Sequence, residues 1–134
     1  MIESLDQRVR KRARYRCEYC KIPALVSELT FPLDHIIAQQ HGGETTFENL
    51  ALSCPHCNYH KGPNLAGIDP QTRKLTRLFT PRRNRWASHF GWDGSMILGK
   101  TAVGRTTLYV LDMNHPDRAE VRRLLIEAGL FPKS

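Results

Sequence analysis

Two pairs of cysteines and a handful of polar side chains between and beside them hold the chemistry legible in this chain. Cys17/Cys20 and Cys54/Cys57 each have C-x-x-C spacing, Asp34-His35 and Asn49 lie between the pairs, and Asn58 directly follows the last cysteine. Two thiolates at that spacing on a turn face one ion, and two such knuckles complete a tetrahedral four-cysteine zinc site. In a chain without an export signal, metal is a better reading than disulfides. A redox C-x-x-C would need one pair in a βαβ setting, and four buried free thiols are the remaining alternative. Residues 21–53 make a longer interval than a simple zinc ribbon needs, so it must carry structure of its own.

The polar residues in and after that interval suit hydrolysis. Histidine titrates near neutrality and can take a proton from water. A carboxylate and an amide oxygen are hard ligands suited to Mg2+. An asparagine carbonyl accepting an imidazole N–H fixes the tautomer of the base. Such a set can activate water beside a cation-bound phosphate. Each member alone says little: Asp-His pairs are common, single histidines are more often structural, and Asn49 near a turn could equally be a helix cap. Order and spacing carry the reading.

Charge points the same way. Lys and Arg number 20 against 13 Asp and Glu, a net charge of +7, which favours a polyanionic partner such as DNA. Acidic membranes or proteins would also suit a basic chain. The basic residues concentrate in 7–16 and 70–90, stretches without acids. Arg82, Arg83 and Arg85 are candidates for gripping a phosphate backbone, with Trp86 either core or a stacking platform; an ordinary basic surface is the alternative. His60 could touch phosphate, complete a metal shell or be structural. Lys61 reads equally as a phosphate contact or a solvated helix-end lysine, His56 as exposed, and His41 as part of the loop.

The elements that must position these groups are short. Ser4 with Gln7 resembles a capping box, and Leu5, Val9 and Ala13 recur at helical spacing, predicting a helix over 4–15. Residues 24–37 read as a short hairpin, Gly42-Gly43 as a loop, and 46–50 as a helical turn capped by Thr45 or Thr46. The second knuckle opens a helix that Gly62-Pro63 ends. Beyond it come a turn at Asp69-Pro70, a strand over 74–80, a short amphipathic helix after Pro81, and a strand over 92–98 broken at Asp93-Gly94. Residues 101–112 fit a helix, although a strand is also allowed. A last helix runs from Pro116 to Gly129 with Val121, Leu124, Leu125 and Ala128 as its apolar stripe. With 134 residues and no apolar run long enough for a membrane span, one intracellular, cytoplasmic domain is expected.

The segments Cys17–Cys20, LDHIIAQQHGG (33–43) and ENLALSCPHCNYHKG (48–62) resemble the HNH endonucleases in their variety with a four-cysteine zinc site. That resemblance, over about 13–65, implies an α+β fold with a zinc-stapled ββα-metal core, leaving 66–134 as a basic, mixed α/β extension of the same domain. It implies His35 as general base, Asn49 orienting it, Asp34 and Asn58 as ligands of a catalytic Mg2+ or similar cation, and DNA cleaved to 5′-phosphate and 3′-hydroxyl ends. Asn58 stands where the family name expects histidine. The rivals are a non-catalytic zinc-containing nucleic-acid-binding module and a zinc-built protein-interaction domain. Nothing in the sequence decides the oligomeric state, and a dimer is compatible with it.

Overall fold

The structure, a computed structural model, describes residues 2–26 and 30–132. They group into two units: Met1–Leu65 with Thr80–Arg83, and Ala66–Phe79 with Asn84–Ser134. The basic 70–90 segment is thus divided, Arg82 and Arg83 belonging to the first unit and Arg85 and Trp86 to the second.

In the first unit, helix α1 (Leu5–Arg12) starts at the expected capping box: Ser4 Oγ accepts from Gln7 N–H at 3.1 Å and Gln7 Oε1 accepts from Ser4 N–H at 2.9 Å. It buries Val9 completely. Part of its basic run is spent internally. Arg12 donates to the carbonyls of Phe47 (2.7 Å) and Leu50 (2.6 Å) and lies 3.9 Å over the Phe47 ring, while Arg10 donates to the carbonyl of Phe31 at 2.7 Å.

Strands β1 (Leu33–His35) and β2 (Leu50–Leu52) pair antiparallel, with Asp34 opposite Ala51 and His35 opposite Leu50. This corrects the hairpin expected within 24–37. Ala24–Val26 is a single 3₁₀ turn, residues 27–29 lie outside the described residues, and the partner of β1 is β2. Burial explains the choice: Leu50, Ala51 and Leu52 are all buried, whereas Leu25 is 81% exposed. The 46–49 segment is a single turn with Thr46 Oγ1 accepting from Asn49 N–H, the cap that was expected, and it ends one residue early because Leu50 already belongs to β2. Helix α2 (Pro55–Lys61) follows, capped by Cys54 with Pro55 at its first position. It ends at Gly62, whose φ of 52° and ψ of −141° suit only glycine.

The second unit is built of two hairpins and three helices among its described residues. Strands β3 (Ala66–Ile68) and β4 (Leu75–Arg77) pair antiparallel; the expected 74–80 strand is limited to three residues. Buried Asp69 organises their turn by accepting from Gln71 N–H, Thr72 Oγ1 and both Nε and Nη2 of Arg105. Helix α3 (Trp86–His89) leads into the hairpin of β5 (Phe90–Asp93) and β6 (Met96–Gly99), which turns at Asp93-Gly94 as expected. Of the two forms open for 101–112, the helix is adopted: α4 (Ala102–Val110), with Thr101 Oγ1 accepting from Gly104 N–H. Helix α5 (Pro116–Glu127) closes the unit, and its expected stripe holds only in part: Leu125 is buried and Val121 half-buried, but Leu124 and Ala128 are exposed. Arg122 and Leu125 are the buried residues, and Leu124 is 52% exposed. Arg122 donates to the carbonyls of Ser95 and Met113 and to Asn114 Oδ1, a demand for donors that a search for apolar spacing does not detect.

Candidate active site and metal cluster

The four cysteines converge. Their sulfurs lie within 4.8 Å of one another, all four residues are buried, and Cys20 Sγ is 3.7 Å from Cys54 Sγ. Four thiolates about 2.3 Å from a tetrahedral ion sit about 3.8 Å apart, a spacing that the cluster approaches, so the four residues fit zinc. Each knuckle closes on itself: Cys20 N–H donates to Cys17 Sγ and Cys57 N–H to Cys54 Sγ, the turns that face paired sulfurs toward one point. Burial acts to raise the Cys17 thiol, but hydrogen bonds from the other three sulfurs bring it well below the usual thiol range.

Between Cys17 and Cys20 stand two residues with their own work. Glu18 exchanges hydrogen bonds with β2, its N–H donating to the Leu52 carbonyl at 2.8 Å and its Oε2 accepting from Leu52 N–H at 2.8 Å. Its Oε1 pairs with Arg82. The first knuckle is therefore fastened to the strand that leads into the second. Tyr19, 1% exposed, donates from its hydroxyl to Asp34 Oδ2 at 2.8 Å.

Asp34, His35 and Asn58 line one cleft of about 220 Å³, together with Leu33, Gly62 and Pro63. Strand β1 supplies the first pair and α2 supplies Asn58. His35 Nε2 lies 2.9 Å from Thr45 Oγ1. Asp34 is 5% exposed, and its charge is met by Lys61, whose Nζ is 3.1 Å from Oδ2 and 3.3 Å from Oδ1. Burial holds the Asp34 carboxyl above its usual range, against the opposing pull of Lys61 and of the Tyr19 hydroxyl.

Several expectations change here. Lys61 is neither solvated nor turned to the surface: it is 2% exposed and also donates to the carbonyls of His35 and Ile36. Its aliphatic stem reaches inward because Asp34 would otherwise be an unpaired buried charge. Asn49 makes its bonds to backbone and not to the His35 ring. Its Oδ1 accepts from Ile37 N–H, and its Nδ2 donates to the carbonyls of Ile37 (3.0 Å) and Glu44 (2.8 Å). It clamps the β1–β2 connection, which presents Thr45 to His35. Gly43 belongs to the same clamp, since a Cβ there would fall 1.6 Å from the Ile37 carbonyl oxygen. Arg82 is engaged by Glu18, whereas Arg83 and Arg85 are exposed. Trp86, half-buried, packs its ring against those of Phe90 and Trp92 at 5.1 and 5.0 Å between centroids, so it belongs to an aromatic cluster. His60 donates Nδ1–H to the His56 carbonyl, and its ring packs on that of His56.

Glu18 and Tyr19 were not singled out in the sequence, and Thr45 read there only as a helix cap and Arg12 only as one of a basic run. The one available signal was an acid and a tyrosine enclosed by two metal-ligating cysteines, where burial is assured and a polar group must find a partner.

Residues 17–64 match the family model described as HNH endonuclease. No curated protein and no solved structure matches the chain. No helix among the described residues is long and apolar enough to cross a membrane. The matched span begins at the first cysteine of the cluster and takes in all of the cleft's polar residues, so residues 17–64 are similar to an HNH endonuclease domain, and the clustered cysteines fit its zinc-stapled variety.

Proposed function

We propose that this chain is a metal-dependent endonuclease that hydrolyses phosphodiester bonds of DNA, with β1, β2 and α2 forming its ββα-metal core. The observation that carries the reading is the convergence of Asp34, His35 and Asn58 on one cleft beside the cysteine cluster. In the tautomer whose Nε2–H donates to Thr45 Oγ1, 2.9 Å away, His35 Nδ1 is the atom that takes a proton from water. The water oxygen bonds to phosphorus as the bond to the 3′ oxygen breaks, and that oxygen takes a proton from solvent, leaving 5′-phosphate and 3′-hydroxyl ends. A divalent cation such as Mg2+, when bound by Asp34 and Asn58, supplies positive charge to the phosphate and the departing oxygen. Asn49 acts through the backbone, holding the loop that carries Thr45. Exposed Arg83 and Arg85 offer charge to the DNA backbone.

A non-catalytic nucleic-acid-binding module is the second reading, and one observation favours it: Asp34 is buried and already paired with Lys61. Supercoiled-plasmid cleavage with Mg2+ or Mn2+, beside EDTA and His35→Ala controls, separates the two. Nicking that needs metal and falls by ~10²–10⁴-fold in the variant supports the nuclease. Wild type and variant equally inert, with DNA binding and zinc retained, would establish the binding module.

A further inference from the structure

We propose that Tyr19 and Lys61 are positioning residues for Asp34, saturating its Oδ2 so that Oδ1 is the single atom offered to a divalent cation. The inference rests on the reading of Asp34 as a cation ligand given above. A carboxylate oxygen has room for about two donors. Oδ2 receives both the Tyr19 hydroxyl at 2.8 Å and the Lys61 ammonium at 3.1 Å, whereas Oδ1 has only a longer Lys61 contact at 3.3 Å. Both partners are themselves fixed. Lys61 is tied to the carbonyls of His35 and Ile36, the two residues that follow Asp34, so its ammonium keeps station with the end of β1. Tyr19 is enclosed between Cys17 and Cys20 and is 1% exposed, so the cysteine cluster dictates where its hydroxyl stands.

The carboxylate therefore cannot rotate to present both oxygens without giving up a buried hydrogen bond, and it binds a cation through one. The same bond gives the zinc cluster a second task. Beyond stapling two chain segments, it sets the orientation of a carboxylate in the neighbouring cleft through a single O–H···O contact. Groups one shell removed from a metal commonly change affinity by 10–100-fold when lost.

The test is Mn2+ binding to the zinc-loaded full chain, followed by electron paramagnetic resonance, in wild type, Tyr19→Phe and Asp34→Asn, with zinc content, thermal midpoint and plasmid nicking measured on the same samples. Phenylalanine keeps the buried ring and removes only the hydroxyl. The expected result is an Asp34-dependent Mn2+ site weakened roughly tenfold in Tyr19→Phe, with zinc content and thermal midpoint at wild-type values and the Mn2+ requirement for nicking raised in parallel. Wild-type Mn2+ affinity in Tyr19→Phe would overturn the inference, as would affinity that falls only in proportion to lost zinc. An Asp34-dependent site weakened in Tyr19→Phe, without nicking by any of the proteins, would uphold the positioning role and sink the nuclease reading. Absence of an Asp34-dependent site in wild type would overturn the positioning role itself.

Discussion

Lys61→Met should be among the most damaging single substitutions in the first unit, although it removes a residue type that is ordinarily dispensable. The Lys61 and Asp34 side chains are 3% and 6% exposed, and the ammonium meets both carboxylate oxygens and two backbone carbonyls within 3.3 Å. Methionine matches the length of the stem but supplies no donor. The variant would leave Asp34 buried with only the Tyr19 hydroxyl, and the carbonyls of His35 and Ile36 without this donor. Breaking a buried pair from one side costs about 3–5 kcal/mol, far more than the pair contributes over an apolar replacement. For a chain of this size that corresponds to a fall of roughly 10–20 °C in Tm.

Asp34→Asn combined with Lys61→Met separates this cause from lost packing. With the carboxylate gone, the double variant has no uncompensated charge, so it should regain at least about half of the single variant's loss, a coupling of roughly 2 kcal/mol or more. Urea unfolding of the zinc-loaded proteins, followed by circular dichroism with slopes compared, gives both numbers. A Lys61→Met cost below about 1 kcal/mol, or a double variant no more stable than the single one, would refute the buried-pair argument.

Three further outcomes follow from contacts elsewhere. Removing zinc by a strong chelator, or substituting Cys57→Ser, should unfold the first unit, because its two knuckles would lose the ion that holds them; unchanged near-ultraviolet circular dichroism would contradict this. Asn49→Ala strips three backbone groups of their partner and should cost about 1–3 kcal/mol, with a fall in nicking rate that added divalent metal does not restore; wild-type kinetics would show that the clamp does not govern Thr45 and His35. The Asp69 carboxyl is held well below its usual range, first by its hydrogen bonds from Arg105. A depressed folded-state value means that this stabilisation is complete above the ordinary carboxylate range and is lost as pH falls below about 4. Thermal midpoints at pH 7 and pH 3 should therefore differ more for wild type than for Asp69→Asn, and equal differences would assign the acid sensitivity to other groups.

What could be read from the sequence was whatever depends on local spacing. The capping box at Ser4 and Gln7, the two knuckles, the Pro55 start and Gly62 end of α2, and the turn at Asp93-Gly94 each involve residues no more than a few positions apart. The residues of the cleft were legible for a different reason: their chemistry is specialised enough that order along the chain already narrows their use. Long-range pairing was not legible. Residues 33–35 could find an apolar partner on either side, and only the complete burial of Leu50–Leu52 decides between them. Nor could the sequence tell which cations face outward. Strands of three residues satisfy few of their neighbours' carbonyls, and the unmet acceptors at Phe31, Phe47, Leu50, His35 and Ile36 are filled by Arg10, Arg12 and Lys61. Long side chains with several donors serve that purpose well, and the net charge gives no hint of it.

The neighbours Arg82 and Arg83 put this distinction to a direct test. A count of charges treats them alike, yet the structure gives them opposite work: Arg82 is 20% exposed at its side chain and paired with Glu18 inside the first knuckle, while Arg83 is exposed. Arg82→Gln releases one end of the Glu18 bridge between knuckle and β2, so it should lower stability by about 1–3 kcal/mol and leave the salt dependence of DNA binding unchanged. Arg83→Gln should leave the unfolding midpoint alone and weaken DNA binding, with the slope of log K against log salt reduced by about 0.9, the contribution of one phosphate contact. Unfolding curves and salt titrations of both variants decide the matter. Equal losses of DNA affinity, with both folds intact, would mean that the Glu18 pair opens to release Arg82 to phosphate, and that the run of arginines acts as one surface after all.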